Sequence, residues 1–330
     1  MKAAFHTGLK QITVRDVPKP VPGPDEYLVH ISHCAICGSD TWFAKEPWPN
    51  EAIHGHEAVG IIEAAGANTS RFHVGDRVVC YAIKGCGKCA YCKAGVPTNC
   101  TSKKFIEGGF REYSVYDDSL LFPCPPEADS VTASLFSDAI GVPLRGLRRL
   151  KPDPKDKVCV WGLGPLGMLQ IIFLKALGVE TIIGLDTVDA RLKKALELGA
   201  SHVVNPAKED PVAAVRKICG GIGADKAYTY VRNDKCTASV VNCTREGASI
   251  CTFVGLNGHY QMEEYVERTL VWSFYFTPNE YEENMKFIRD HKIDLKQVVT
   301  DVVPIDQINE GFLKRFDHQD TSLKVVISME

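Results

Sequence analysis

Four cysteines, Cys86, Cys89, Cys92 and Cys100, stand in the run Gly85-Cys86-Gly87-Lys88-Cys89-Ala90-Tyr91-Cys92 and after Asn99. Two short CxxC steps and one longer return supply four soft ligands that can close a tetrahedron around one Zn²⁺. Such a set leaves no place for a substrate, so its zinc would be structural. A second, incomplete set of ligand types lies elsewhere, in Cys37, His56 and Asp138. A closed site accompanied by an open one points to an enzyme with a catalytic metal. Taken singly, a cysteine or histidine in a loop is more often filler than ligand. Cys34 makes a further CxxC with Cys37.

A different chemistry is written into Val158-Cys159-Val160-Trp161-Gly162-Leu163-Gly164-Pro165-Leu166-Gly167, an apolar strand, a GxGxxG turn and the start of a helix. Gly162 permits the tight turn, Gly164 lets the backbone approach a pyrophosphate, and Gly167 lets helix and strand pack closely. Pro165 and Leu166 fall in the first turn of that helix, whose unpaired N–H groups and positive dipole end suit phosphates. Asp186 closes the next strand, Thr181-Ile182-Ile183-Gly184-Leu185. A carboxylate there can accept both ribose hydroxyls of NAD and repels a 2′-phosphate. An aspartate at a strand end is by itself more often merely solvated; the glycine loop before it favours the NAD reading. Arg191 follows within reach of the same ribose and would assist NAD or accommodate some NADP.

The elements that must position these residues fall into two kinds. The first third of the chain reads as short strands and turns, with Tyr27–Ile31, Gly60–Ala64 and Arg77–Cys80 as β-like runs punctuated by Pro18, Pro20, Pro22, Gly23 and Pro24. From about Lys157 strands alternate with helices: Val158–Trp161, Thr181–Leu185, His202–Val204, Lys226–Val231, Ser249–Val254 and Leu270–Phe276, with helices expected over Pro165–Leu177 and Ala190–Leu198. That alternation predicts a parallel, doubly wound sheet. Thr277 opens a further helix with Pro278 in its first turn, and the β-like Leu323–Ser328 is expected to return to the first domain. The expected division is 1–140 with 276–330 as a β-rich catalytic domain, and 141–275 as a Rossmann domain.

The totals agree with a two-domain globular enzyme. The 330 residues exceed what one compact core usually holds. With 38 basic and 41 acidic residues the charge is balanced, which gives no support for a nucleic-acid or membrane-surface partner. Val158–Val179 is the longest apolar stretch, but Gln170, Lys175, its glycines and a proline interrupt it, so it does not read as a bilayer span. The N-terminal Met1-Lys2-Ala3-Ala4-Phe5-His6 has no apolar signal core. Thirteen cysteines in such a chain, expected to be cytoplasmic, argue for metal ligands and buried thiols over disulfides. Cys34, Cys80, Cys124, Cys159, Cys219, Cys236, Cys243 and Cys251 are expected to be small buried hydrophobes.

Taken together, Ile36-Cys37-Gly38-Ser39-Asp40, Gly55-His56-Glu57-x2-Gly60-x5-Gly66, Gly75-Asp76-Arg77-Val78, the cysteine lobe, Gly108-Gly109-Phe110-Arg111-Glu112-Tyr113, the glycine loop and Asp186 resemble, in order and over nearly the whole length, the zinc-containing medium-chain dehydrogenases/reductases, the zinc alcohol and polyol dehydrogenase family. The resemblance implies an α/β chain with a GroES-like catalytic domain and a Rossmann domain, and two Zn²⁺ per chain, one catalytic and one structural, with NAD as cofactor. By position, Cys37, His56 and Asp138 would hold the catalytic zinc. Many members have a cysteine where Asp138 stands, and others a carboxylate; the exchange keeps the charge sum and substitutes a harder ligand that zinc accepts. The competing reading of Asp138 is a helix N-cap. Glu57 would lie close to the metal as an exchanging or supporting acid, Asp40 would fix the tautomer of His56, and Cys34 would not ligate.

The implied reaction takes the proton of a zinc-bound alcohol to Ser39 and its hydride to NAD. The histidine that often ends the proton relay in simple alcohol dehydrogenases is replaced here by Asp40, Thr41 and Trp42. Trp42, Phe43 and Trp48 are expected either as pocket wall or as core. A carboxylate ligand beside Glu57 resembles the polyol branch, so a polyol, cyclitol, sugar or other secondary alcohol is the expected substrate. Reduction of an aldehyde, ketone or activated C=C bond with NAD(P)H, and a non-catalytic zinc- and NAD-binding protein, are the alternatives. The family's dimers and tetramers imply a homo-oligomer, with Leu270–Phe276 either a subunit contact or an ordinary buried strand.

Overall fold

The computed structural model describes residues 1–46, 52–231, 234–254, 267–318 and 320–330, so Trp48 lies outside the described residues. The chain forms two compact units, Met1–Ala139 with Phe276–Lys286 and Asp294–Glu330, and Ile140–Tyr275 with Phe287–Ile293.

The first unit opens with an antiparallel pair, β1 (Lys2–Gly8) and β2 (Gln11–Asp16). Its main sheet is built on β3 (Glu26–Ala35), β4 (Glu57–Ala65) and β5 (Arg77–Cys80). Val29, Ile31, Val59, Ile62, Val78 and Val79 are all buried, and each such side chain contributes about 1.5–3 kcal/mol. Gly60 has a specific task in this sheet. A Cβ there would stand 2.2 Å from the His30 carbonyl oxygen, so only glycine lets β4 lie against β3 at that point. Beyond β5 come the short pair β6 (Ile83–Lys84) and β7 (Lys104–Phe105), then β8 (Tyr113–Asp117) and β9 (Leu121–Pro123). One-turn helices α1 (Ala90–Lys93) and α2 (Ser130–Ala133) lie in this stretch, the second capped by Asp129, whose side chain accepts from the Thr132 N–H.

The second unit holds α3 (Gly141–Leu150) and a wholly parallel six-stranded sheet. Its strands are β10 (Lys157–Trp161), β11 (Thr181–Leu185), β12 (His202–Val204), β13 (Ala224–Thr229), β14 (Thr244–Thr252) and β15 (Thr269–Trp272). Their spatial order, β12-β11-β10-β13-β14-β15, reverses direction at β10, the switch point at which such sheets bind nucleotides. The helices α4 (Pro165–Ala176), α5 (Asp189–Leu198), α6 (Pro211–Ile218) and α7 (Asp234–Asn242) make the crossovers. Asp210 starts α6 by accepting from the Val212 N–H, with Pro211 in the first turn. Trp161, Ile183, Leu185, Val204, Val215 and Ile250 share one core cluster with Cys159, Cys219 and Cys243. Those thiols are core hydrophobes, as expected. Strand β15 is shorter than the apolar run that announced it; Leu270 and Trp272 are exposed on it, and Phe274 is exposed just beyond its end.

The chain then returns to the first unit. Thr277 and Glu280 form a reciprocal capping box ahead of α8 (Tyr281–Asp290). Strands β16 (Val299–Pro304) and β17 (Lys324–Ser328) flank α9 (Ile308–Asp317). Strand β17 pairs antiparallel with β3, Val326 opposite Ala35, and so begins beside the Cys37 loop.

Candidate active site and dinucleotide loop

Three connections of the first unit converge. Cys37 follows the end of β3, His56 and Glu57 begin β4, and Asp138 follows a short helical turn after α2. Their donor atoms all lie within 4.8 Å of one another, and all four residues are buried. Asp138 Oδ2 is 3.5 Å from Cys37 Sγ and 3.4 Å from His56 Nε2. This geometry does not bear out the N-cap reading of Asp138. The N-cap of α3 is Ile140, and the Asp138 carboxylate points instead at a thiol and an imidazole.

The donors are oriented from behind. Asp40 Oδ2 accepts from the Cys37 N–H at 2.9 Å, and Oδ1 accepts from Trp42 Nε1 at 3.2 Å. Its Oδ1 also lies 3.6 Å from His56 Nδ1, on the opposite side of the ring from Nε2 and Asp138. The Ser39 N–H donates to Cys37 Sγ at 3.5 Å, while the Ser39 residue itself is exposed. Cys34, by contrast, is fully buried, its Sγ turned to the Ala35 carbonyl, outside the donor set.

The electrostatics are those of anionic donors crowded together in low dielectric. Burial, then Asp138 and Glu57, push the Cys37 thiol up. Burial alone would depress His56, but Asp40, Asp138 and Cys37 outweigh it and hold it well above the usual imidazole range. Burial also raises Asp40 and Glu57 against the opposing pull of His56 and Lys324. A divalent cation is the charge that inverts this pattern, by favouring thiolate, carboxylate and neutral imidazole together. The donor set therefore fits zinc: one thiolate, one imidazole and one or two carboxylates.

Two neighbours of this cluster are not singled out by any sequence motif. Lys324 on β17 places Nζ 2.6 Å from Glu57 Oε1 and 2.5 Å from Oε2, with both side chains almost wholly buried. The available signal was a lysine inside the apolar run Leu323-Lys324-Val325-Val326-Ile327, since a buried charge requires a partner. Phe105 on β7 sets its ring 4.9 Å from that of His56 and remains 46% exposed, bordering the cluster on the His56 side. The aromatics of that loop divide. Phe43 is core, packed on Phe312 and Phe316 of α9, whereas half-buried Trp42 stacks on His54 at 4.0 Å. The His54 Nδ1–H donates to Glu107 Oε2 at 2.8 Å.

The cysteine lobe brings Cys86, Cys89, Cys92 and Cys100 within the same 4.8 Å limit. Backbone N–H groups already point at sulfur: Cys89 N to Cys86 Sγ at 3.4 Å and Cys86 N to Cys100 Sγ at 3.5 Å. Such bonds favour thiolate, and those from Lys88 and Cys89 bring Cys86 down to about 6. Cys92 is pushed up to about 11, first by desolvation. Four convergent sulfurs suit a tetrahedral zinc with no open position.

In the second unit the glycine loop is built for close approach. Gly162 has φ +84°, and its N–H donates to the Leu185 carbonyl at 2.8 Å. A Cβ on Gly167 would lie 2.0 Å from the Gly162 carbonyl oxygen, whereas one on Gly164 would meet nothing within 4 Å. The first contact explains how tightly α4 seats on β10; the second leaves room above the loop for a phosphate. Pro165, in the first turn of α4, has no N–H to offer and presets the helical φ. Leu166 and Gly167 supply the N–H groups. Asp186 accepts from the Leu163 N–H at 2.7 Å and the Val188 N–H at 2.9 Å, so it braces the loop as well as facing it. Arg191 Nη1 lies 3.6 Å from Asp186 Oδ2.

Among the described residues, no helix is long and apolar enough to cross a membrane. The chain matches the family models for the alcohol dehydrogenase GroES-like domain over residues 23–126 and the zinc-binding dehydrogenase over residues 165–290. It is 26% identical to a sorbitol dehydrogenase of Bacillus subtilis (strain 168), covering 99% of this chain and 97% of that one. It is 31% identical to an L-threonine 3-dehydrogenase of Stenotrophomonas maltophilia (strain K279a), with 73% of each chain covered. Its fold matches that of an alcohol dehydrogenase from Escherichia coli CFT073 complexed with NADH, with a TM-score of 0.89, 23% identity, and 100% and 99% of the two chains covered. With its GroES-like and Rossmann units, its zinc donors and its dinucleotide loop, this chain is an enzyme of the zinc-containing medium-chain dehydrogenase/reductase family, the zinc alcohol dehydrogenases that use a nicotinamide cofactor.

Proposed function

We propose that the enzyme oxidises a polyhydroxylated secondary alcohol with NAD⁺, and that each chain takes two zinc ions. The observation that carries this reading is the convergence of Cys37, His56 and Asp138 beside an exposed Ser39. Cys37, His56 and Asp138 would hold the catalytic ion, and Cys86, Cys89, Cys92 and Cys100 the structural one. Zinc bound by the first set supplies Lewis-acid polarisation of the alcohol oxygen.

The residues themselves do the rest. Ser39, at the exposed edge of the Cys37 loop, accepts the hydroxyl proton at its Oγ and passes it to solvent. Asp40 holds His56 in the tautomer that presents Nε2. Buried Phe43 and α9 fix the loop that carries Cys37 and Ser39, and Phe105 borders the site on the His56 side. In the other unit, Gly162, Gly164, Leu166 and Gly167 bind the cofactor's pyrophosphate, Pro165 shapes the helix start, and Asp186 takes the ribose hydroxyls while held by Arg191. Hydride acceptance is the cofactor's own chemistry, and the chain's share is orientation. The carboxylate ligand and adjacent Glu57 support the polyol reading, as does similarity to a sorbitol dehydrogenase. The exposed Leu270 and Trp272 on the edge strand β15, with Phe274 just beyond it, support a homodimer or homotetramer.

The test is NADH formation on a panel of polyols, cyclitols, sugars and simple alcohols, each repeated after chelation. Turnover on a polyhydroxylated secondary alcohol that chelation abolishes is expected. Chelation-insensitive reduction of a C=C bond, or turnover confined to primary alcohols, would overturn the reading.

The structural ion has a separate signature. Cys100 is fully buried, and Cys100→Ser is expected to lose one zinc per chain and expose the 85–100 lobe to proteolysis, because metal binding and folding of such lobes are one equilibrium. Limited proteolysis with metal counting reads both. A variant that keeps two zincs and an uncut lobe would sink the assignment.

A further inference from the structure

Among the described residues, Lys324 is the one lysine that is buried, and its partner Glu57 is the most deeply placed carboxylate of the metal-donor cluster, at 0% exposure. An ion pair in such a place is weak evidence for stability, because desolvating both charges offsets most of their attraction. Its position suggests a different role. Four side chains converge, and a zinc with four protein ligands is closed, as the cysteine lobe would be. Turnover needs one of the four withheld.

The geometry says which one. Asp138 Oδ2 lies 3.5 Å from Cys37 Sγ and 3.4 Å from His56 Nε2. Glu57 is instead drawn to Lys324, whose ammonium donates to Oε1 at 2.6 Å and lies 2.5 Å from Oε2 as an ion pair. The lysine cannot drift from this post. Strand β17 is pinned on one side by β16 and on the other by β3, and the Ile36 N–H, next to Cys37, donates to the Val325 carbonyl at 2.9 Å. We propose that Lys324 is a positioning residue that withholds Glu57 from the catalytic metal and so keeps one coordination place open for the substrate oxygen. This rests on the zinc reading of the Cys37 cluster. Without the ammonium, Glu57 becomes an uncompensated buried carboxylate next to a cation, and it becomes the fourth ligand.

The consequence runs against what a merely structural contact would give. Loss of an ordinary supporting partner weakens metal affinity by about 10- to 100-fold. Lys324→Met should instead close the site, so that the ion bound by the Cys37 cluster leaves about tenfold more slowly under EDTA while kcat falls at least about tenfold. The experiment uses the full-length protein loaded with Co²⁺ and titrated with imidazole, which enters an open coordination place and shifts the visible bands. Wild type and Lys324→Arg, which keeps the charge, are expected to shift. Lys324→Met and the polar Lys324→Gln are expected not to shift. Glu57→Gln in the Lys324→Met background is expected to restore the shift, and circular dichroism checks folding in each.

Faster metal loss in both neutral variants, or an imidazole response equal to wild type in whichever of them folds, would overturn the proposal. A wild-type protein whose metal content is unaltered by Cys37→Ala would instead overturn the zinc reading itself, and the proposal with it.

Discussion

Replacing His56 by alanine is expected to lower kcat/KM by three orders of magnitude or more and to remove one zinc per chain, leaving the cysteine lobe loaded. His56 is the neutral donor in a set whose other members are anionic. Removing it leaves Cys37 and Asp138 facing each other at 3.5 Å without the group that bridges them. Zinc contributes several kcal/mol to stabilising developing charge, and about 4 kcal/mol corresponds to about a thousandfold in rate. Asp138→Asn should have a comparable effect, because the amide keeps the shape and loses the charge. Asp138→Cys should retain the metal, because it restores an anionic donor of the kind many relatives use. Kinetics with metal counting on the three variants check this. A His56→Ala protein within tenfold of wild type would remove the catalytic metal from the mechanism.

These substitutions test residues visible in the sequence, and their visibility has a physical basis. Metal ligands and phosphate loops need particular side chains, or none, at fixed spacing, so the cysteine lobe and Gly162–Gly167 stand out before any fold is known, whereas Cys37 and His56 are singled out only through the family resemblance. The parallel sheet was legible for a related reason: its buried strands are continuous apolar runs, such as Thr181–Leu185, found at the same bounds in the structure. What was not legible depends on contacts distant in sequence. Lys324 lies 267 residues from Glu57, and only the pairing of β17 with β3 joins them. Phe105 sits in a two-residue strand with no pattern to announce it. Phe43 and Trp42 are adjacent and alike, and both rings reach Phe312 of α9, yet only Trp42 stays half-buried and stacks on His54. Asp138 had two local readings, and only the fold shows that Ile140, not Asp138, caps α3.

The glycine loop provides the second large effect and separates two roles that its motif merges. Gly167→Ala would place a methyl group 2.0 Å from a backbone oxygen that cannot move aside, so the start of α4 must shift away from β10. Overpacking of that kind costs about 1–3 kcal/mol and a few degrees of melting temperature in a unit of this size. It also displaces the N–H groups of Leu166 and Gly167, so NAD affinity should fall about 100-fold. Gly164→Ala tests the other role. Its methyl group meets nothing within 4 Å, and the backbone there, φ −72° and ψ −171°, is ordinary for alanine. The melting temperature of the cofactor-free protein should therefore be unchanged or slightly raised. NAD affinity should still fall about tenfold, because the added methyl group occupies the space the pyrophosphate needs. Calorimetric titration of NAD⁺ with thermal melts of the cofactor-free variants distinguishes the two. If Gly164→Ala binds NAD⁺ as wild type does, the phosphates do not approach the loop at that residue, and the cofactor assignment of Gly164 falls even though the fold around it stands.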